Sequence, residues 1–355
     1  MKIVIQKKEL ENVLVKSIPF LESKDNSMIT SNVCISLNDG VMTVNATNYE
    51  IGLKSTVECL GIITDGSAII NGKKLLDIIK ILKSDNVTLE CKNDFLHVTQ
   101  SRSKFKVSLF NDGDFPQFPQ IDNDIEIAID SDVMINAFRE ITPSIDSNNP
   151  KYEFNGALMD IKTDSIRFVS TDTRRLSIVN IDNNSDKEFS IIIPRVAILE
   201  IQKLFYADIK IYCNDVYLII KSDNFMFFTK LINGKFPDYQ RIIPTELSHK
   251  ITINKLLMIE SIKQINVVSS EVQINISGNQ MVFSSVADKN NNAVTDIEID
   301  YNCKDNITTV VNSKYILDFL NVIFDNEFTL GISSENMPFL LESGSLKTVV
   351  MPIVV

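Results

Sequence analysis

Chemistry needs side chains that can attack a substrate, hold a proton or bind a metal, and in this chain they are few and scattered. His97 and His249 are the two histidines among 355 residues. His97 sits in an alternating apolar–polar run and reads as an outward-facing strand residue. The five cysteines (Cys34, Cys59, Cys91, Cys213, Cys303) form no Cys-x-x-Cys pair. An odd, dispersed set fits reduced structural thiols and argues against a disulfide framework or a zinc site. Gly72-Lys73-Lys74 has part of a phosphate loop but lacks its upstream glycine and its Ser/Thr. Many carboxylates fall in Asn/Asp turns such as Asp182-Asn183-Asn184, where a solvated loop role suffices. No catalytic constellation and no metal or cofactor site emerges. Apolar side chains, by contrast, stand in an unexpected place. Val349 to Val355 is almost wholly apolar where termini tend to be polar, and Pro352 must leave any ladder that Val349 to Met351 joins.

These residues have to be positioned by ordinary elements. Hydrophobic residues make up 44% of the chain and charged residues 23%, as in soluble globular proteins. The length allows two or three domains, each with its own core. No segment approaches the roughly 18 apolar residues of a membrane span. Met1 to Ile5 is followed at once by Gln-Lys-Lys-Glu, too short and too early-charged for a signal peptide. The expectation is a cytoplasmic protein with no membrane association. From Phe227 to Ile232 the chain is aromatic and β-branched, a strand stopped by Asn233-Gly234. Phe236-Pro237 then leaves the sheet, and Pro244 marks a second break. A cruder copy runs from Lys106 to Phe118, with Phe115-Pro116-Gln117-Phe118 in the place of Phe236-Pro237-Asp238-Tyr239.

Copies of a junction imply repeats. Lys2 to Gln6 reads as a strand and Lys7 to Ser17 as a helix with Leu10, Val13 and Leu14 on one face. At an offset of 124 residues, Ile127 and Ile129 repeat Ile3 and Ile5, followed by Met134, Phe138 and Ile141. A further 124 residues brings Ile251 and Ile253, then Met258, Ile262 and Ile265, so Leu14, Phe138 and Ile262 are equivalent. A second helix recurs over 73–83, 195–205 and 314–323. It is entered through Ile70-Asn71-Gly72, then Ile193-Pro194 with proline in the first turn, then Val311-Asn312-Ser313. Short alternating runs surround the helices, among them Val272 to Ile276 and Gln280 to Ser284, and read as half-buried antiparallel strands. The fold class is α+β: three tandem copies, 1–122, 123–247 and 248–355, of a two-helix, antiparallel-sheet domain.

A net charge of −11 would ordinarily argue against nucleic acid as a partner, but charge can be segregated. The six helical segments 7–17, 73–83, 131–141, 195–205, 254–264 and 314–323 together carry +5, leaving −16 on the rest of the chain. Lysine is well tolerated on exposed helix faces; the sharper reading is a helical surface turned towards a phosphate backbone.

The repeats, Thr171-Asp172-Thr173-Arg174-Arg175-Leu176, Asn155-Gly156, Ile193-Pro194-Arg195, Lys235-Phe236-Pro237-Asp238-Tyr239-Gln240-Arg241 and Val349-Val350-Met351-Pro352 resemble, over the whole chain, the bacterial replicative sliding clamps, the beta subunits of DNA polymerase III. The resemblance implies the DNA clamp fold: a head-to-tail homodimer, a ring of six domains with helices lining the hole and strands outside. Twelve helices at about 10 Å each describe a circle of about 120 Å and leave a hole of roughly 28 Å, enough for hydrated duplex. Retention by closure needs little phosphate affinity, so a sequence-independent hold on double-stranded DNA is compatible with the acidic chain. The implied role is a processivity factor without catalysis. It would tether the polymerase alpha subunit, the clamp loader, other polymerases and repair proteins through a Leu/Phe-containing peptide motif.

By the same resemblance, the peptide pocket comprises Thr171, Thr173, Arg174, Arg175, Leu176, Pro237, Arg241 and Ile242 with the tail Val349, Met351, Pro352, Ile353, Val354 and Val355, walled by Phe154 and Pro338. This would be an apolar groove with a charged rim. The family commonly has glycine where Thr173 stands, often histidine at Arg174 and often arginine at Val354. A β-branched residue does not easily take the positive φ that glycine allows. Carried over for DNA are Lys24 in the loop Ser23 to Ser27, Lys73, Lys74, Ser147, Asn148, Lys151, Tyr152 and Arg195, as phosphate contacts blind to sequence. Dimer closure would pair an edge strand holding Phe105 and Val107 with one near Val267, Val268 and Val272. Two rivals remain: an enzyme of three repeated domains with a site at a domain junction, and a monomeric binding module that uses the groove without encircling DNA.

Overall fold

The structure, a computed structural model, describes residues 1–25, 28–38, 40–83, 85–111, 114–122, 124–183, 187–206, 208–286 and 292–354. Its α-helices among these are α1 (Lys7–Ser17), α2 (Gly72–Ile81), α3 (Ser131–Ile141), α4 (Arg195–Leu204), α5 (Lys255–Asn266) and α6 (Ser313–Val322), two to each repeat. Asparagine starts three of them. The Oδ1 of Asn71 accepts from Lys74 N at 2.9 Å, that of Asn254 from Leu256 N at 3.0 Å, and that of Asn312 from Lys314 N at 3.0 Å. Each satisfies a backbone donor that has no partner inside the helix. In the middle repeat Pro194 is the last residue of strand Phe189–Pro194, one position ahead of the helical turn expected for it. Leu14, Phe138 and Ile262, equivalent by spacing, are all fully buried.

Packing divides the chain into two compact units, residues 1–132 with 200–231 and residues 133–199 with 232–355. These do not coincide with the three repeats, because the sheets run through the repeat boundaries. In the first unit, strand Ile51–Val57 of the first repeat pairs antiparallel with Phe225–Lys230 of the second, within an eight-stranded sheet. A five-stranded sheet in the same unit ends on Ser103–Ser108. In the second unit, Arg175–Asp182 of the middle repeat pairs with Leu346–Val350 of the third, again within eight strands. Its remaining ladder pairs Glu271–Ser285 with Val294–Asn312. The two short runs expected at 272–276 and 280–284 are thus one strand. Its register shifts on both sides of Gly278, which takes φ 57° and lets the chain bulge without ending the pairing.

One turn occurs twice in the same atomic detail. At Thr171–Arg175, Thr171 Oγ1 donates to Arg175 O at 2.6 Å and accepts from Thr173 N at 3.0 Å. Asp172 Oδ1 accepts from Arg174 N and Arg175 N, both at 3.0 Å. Residues 47–51, 124 positions earlier, repeat every bond. Thr47 Oγ1 donates to Ile51 O and accepts from Tyr49 N, and Asn48 Oδ1 accepts from Glu50 N and Ile51 N, all within 2.9–3.1 Å. Thr173 stands at φ 73° and Tyr49 at φ 72°. Thr173 therefore does take the left-handed conformation that its β-branching disfavours, because four local hydrogen bonds over-determine the turn. The chain also leaves each repeat alike: Phe110 N, Ile232 N and Ile353 N donate to Ile69 O, Ile192 O and Val310 O at 2.8, 2.9 and 2.7 Å.

Phe138 meets Phe168 edge to face at 5.2 Å in the core of the middle repeat. Truncation of Phe138 to alanine is expected to cost about 3–5 kcal/mol, measured as a lower urea midpoint for unfolding.

Candidate protein-binding groove

In the second unit, alternation along the strands separates two surfaces. Ile192, Leu158, Val169 and Ile178 stand opposite one another across four strands, and Leu176, Val349 and Leu340 do the same across three. Together they form one apolar face. The connector after Ile232 lies on it, contributing buried Phe236 and Tyr239, with Ile232, Ile243 and Leu247 packed alongside. Tyr239 is pinned by its hydroxyl, which donates to Asp160 Oδ2 at 3.0 Å, and burial pushes its pKa up. Phe154 meets Phe236 edge to face at 6.3 Å. Gly156 is required below them, since a Cβ there would come within 2.5 Å of Ile193 O.

The groove edge is made where strand Leu346–Val350 ends. Met351 N still donates to Arg174 O at 2.9 Å, then Pro352 breaks the ladder and Ile353 N turns to Val310 O. Pro338 precedes Phe339, which pairs with Val350, so Met351 has the Thr173–Arg174 turn on one side and Pro338 on the other. Thr173, Arg174, Met351 and Val354 are exposed and Pro352 and Ile353 half-buried. Arg241 and Ile242, in the short turn Tyr239–Ile242, are also exposed, with Arg241 Nε on Asp238 Oδ2 at 2.8 Å. Val355 lies outside the described residues. An exposed turn, an exposed apolar tail and two exposed guanidinium groups beside a buried apolar layer suit capture of an extended peptide with large apolar anchors.

Arg175 is placed differently from expectation. Its neighbour Leu176 faces the floor, so Arg175 must face the other side of the sheet, where 4% of it is exposed. There its guanidinium pairs with Asp172 Oδ2 at 3.0 Å and Asp318 Oδ2 at 2.8 Å, donates to Pro143 O, and lies 4.8 Å from the Tyr315 ring. It is a buried tie to α6 and no part of a charged rim. The floor residues Phe236, Tyr239, Leu340, Ile178 and Val169 escape sequence reading. Alternation assigns each to a face of its own strand, but which strands become neighbours is a long-range fact.

The residues carried over for DNA fall in three places. Lys73 and Lys74 are exposed in the first turn of α2, and Lys24 is exposed beside Glu22, whose Oε1 accepts Lys24 N at 2.9 Å; Ser27 lies outside the described residues. Ser147, Asn148, Lys151 and Tyr152 are exposed on one knitted loop. Asn155 Oδ1 accepts from Asn149 N at 2.7 Å, and Asp146 accepts from Asn148 N and Asn149 Nδ2 at 3.2 and 2.9 Å. The Asn149 bond, with backbone donors, holds the Asp146 carboxyl below its usual range. Arg195 is half-buried, its Nε enclosed without a hydrogen-bond partner among the described residues. Of the residues expected at the dimer contact, Phe105 is half-buried, Val107 is buried, Val267 and Val268 are exposed after α5, and Val272 is fully enclosed in its own domain. Val272 can offer a partner its backbone but no side-chain surface.

Three copies of one module, fused through continuous ladders and carrying an apolar groove, define a clamp-type binding scaffold. Family models for the DNA polymerase III beta subunit match in order: the N-terminal domain over residues 1–119, the central domain over 128–238 and the C-terminal domain over 240–354. A Helicobacter pylori protein named beta sliding clamp is 33% identical over 99% of this chain and all of its own length. The crystal structure of Helicobacter pylori beta clamp bound to DNA ligase peptide superposes with a TM-score of 0.94 at 35% identity, covering all of both chains. The DNA polymerase III subunit beta from Pseudomonas aeruginosa shares the fold at a TM-score of 0.94 and 23% identity. The chain belongs to the DNA polymerase III beta-subunit family, the beta sliding clamps, and is a replication processivity factor and not an enzyme.

Glu140, in the last turn of α3, lines the cleft that holds Arg175 and Asp318. Burial pushes its pKa from the ordinary 4.5 up to about 7; Arg139 opposes the shift and Asp325 adds to it. Between these values the folded chain binds the proton and the unfolded chain does not, so stability falls as pH rises from about 4.5 through 7. Glu140→Gln is therefore expected to raise Tm at pH 8 and leave it nearly unchanged at pH 5, read by calorimetry at both.

Proposed function

We propose that two copies of this chain close head to tail around duplex DNA and present one peptide groove each. The observation that carries the ring is an unmatched edge. Ser103–Ser108 is the first repeat's equivalent of Phe225–Lys230 and Leu346–Val350, the strands that join neighbouring repeats in the other two cases. Among the described residues it has a ladder partner on one side only. Its complement in the third repeat, equivalent to Ile51–Val57 and Arg175–Asp182, falls in the first half of Val294–Asn312, which among the described residues pairs with Glu271–Ser285 alone. Within one chain two of three junctions are closed, and a second copy supplies the third. Phe105 and Val107 sit on the one edge, and Val267 and Val268, exposed after α5, are assigned to the partner's side of the seam.

The domains are 1–122, 123–247 and 248–355, and the protein works in the cytoplasm. Lys24, Lys73, Lys74, Ser147, Asn148, Lys151, Tyr152 and Arg195 steady the duplex through phosphates without reading sequence. Thr171, Thr173, Arg174, Leu176, Phe154, Pro237, Arg241, Ile242, Pro338 and the tail from Val349 hold the Leu/Phe motif of the polymerase, clamp loader and repair proteins. The related Helicobacter pylori clamp with its ligase peptide supports this reading.

Light scattering is expected to give a particle of twice 40.1 kDa. Loaded onto circular DNA, the protein should stay bound in high salt and leave once the circle is linearised; equal loss from both forms refutes closure. Removing Ile353 to Val355 should weaken binding of a Leu/Phe peptide at least tenfold while the dimer persists. Unchanged affinity would displace the tail from the groove.

A further inference from the structure

The two identical turns make a controlled comparison. At residues 47–51 the turn forms with Asn48 and Ile51 where residues 171–175 have Asp172 and Arg175. The φ of 72° at Tyr49 matches the 73° at Thr173. The buried arginine and the Asp318 carboxylate are therefore not needed to shape the backbone, and the acceptor at Asp172 can be an amide oxygen, as at Asn48. A buried ion pair is a poor source of net stability, because desolvation of both groups offsets their attraction. Here the guanidinium is 4% exposed and bound by carboxylates from two elements.

The bonds run in series. Asp318 Oδ2 on α6 holds Arg175 Nη1 at 2.8 Å, and Arg175 Nε holds Asp172 Oδ2 at 3.0 Å. Asp172 Oδ1 accepts from Arg174 N at 3.0 Å, and Arg174 O accepts from Met351 N at 2.9 Å. The series begins on the helix side of the sheet and ends at the edge of the groove. Asp318 is separated from the floor by the sheet itself, so it has no route to touch a bound peptide. In the 47–51 copy, the first residue past the ladder is Lys230, whose N donates to Glu50 O at 2.7 Å and whose Nζ pairs with Glu50 Oε1 at 3.0 Å. There the turn is secured from the groove side. At 171–175 the matching residues Arg174 and Met351 are both exposed. Among the described residues, the charged anchorage of this turn comes from behind the sheet.

We propose that Asp318 is a positioning residue of the peptide groove, acting through Arg175 and Asp172 to fix the Thr173–Arg174 turn and the Met351 tail before a peptide arrives. Without it the four local bonds still give the turn its shape, but Asp172 and the Met351 tail lose their tie to α6, and the peptide must order them on binding. This rests on the groove reading above. It makes affinity at the groove depend on a helix on the opposite face.

The test measures binding of a fluorescent peptide with adjacent Leu and Phe anchors to the full chain, together with Tm. Asp318→Asn is expected to weaken binding about tenfold, and Asp318→Glu, which keeps the carboxylate, to recover most of that loss. The double variant Arg175→Met with Asp318→Leu replaces the pair by apolar groups. It should match or exceed the wild-type Tm, as such replacements often do, yet still bind about tenfold more weakly. Wild-type affinity in the double variant, or in Asp318→Asn, overturns the proposal and leaves the pair merely structural. If the double variant does not fold, the two single variants decide the question. Failure of the wild-type protein to bind the peptide refutes the groove itself, which is a distinguishable result.

Discussion

The antiparallel ladder between strands of successive repeats is the constraint on which everything else in this protein depends. A module of this kind leaves a strand edge unpaired on each side, and unpaired backbone donors and acceptors are satisfied most economically by another strand. Ile51–Val57 with Phe225–Lys230, and Arg175–Asp182 with Leu346–Val350, do so within the chain. Their register also decides which side chains face outward. A slip of one residue would turn Leu176 off the floor and bring Arg175 onto it, since the side-chain period of a strand is two. The groove is thus a consequence of a backbone pairing between distant residues such as Leu176 and Val349.

Equal frames do not give equal sites. The turn at 47–51 has the backbone and the bonds of the turn at 171–175, yet its surroundings are closed. Where Leu176 faces Val349, the first unit has Gly52 facing Phe228, and a Cβ on Gly52 would lie 2.3 Å from that ring. Phe118 and Tyr217 pack edge-on against Phe228 at 5.0 and 5.8 Å, and Phe228 is 3% exposed. An aromatic side chain of the protein itself fills this copy. In the other, the facing pair Leu176 and Val349 is aliphatic and lies under Phe236 and Tyr239 of the connector, while the tail leaves the ladder at Pro352 with Met351 and Val354 exposed.

Charge is organised with the same economy. A protein of net charge −11 that is to work on DNA cannot rely on phosphate affinity. Some of its lysines stand exposed where a helix begins, as Lys73 and Lys74 do, or on a loop tied by its own asparagines, as Lys151 does. Carboxylates inside those loops, such as Asp146, accept backbone donors and order the loop.

Local pattern was enough to find much of this architecture. Strand Lys2–Gln6 and helices α1 and α3 fall at the positions given by apolar spacing, and the residues 14, 138 and 262 picked out by the 124-residue offset are all buried. These signals survive because helix and strand periods are properties of a few consecutive residues. Pattern failed where the outcome depends on distant neighbours. The φ of 73° at Thr173 defies local preference, since four hydrogen bonds outweigh a cost of about 1–2 kcal/mol. The bulge at Gly278 joins what alternation divides. The inward turn of Arg175 and the assembly of Leu176, Val349, Leu340 and Phe236 into one floor belong to tertiary structure alone. Which face a strand turns to the core is written in its own residues, but which strand lies beside it is settled only when the whole chain competes for the same edges.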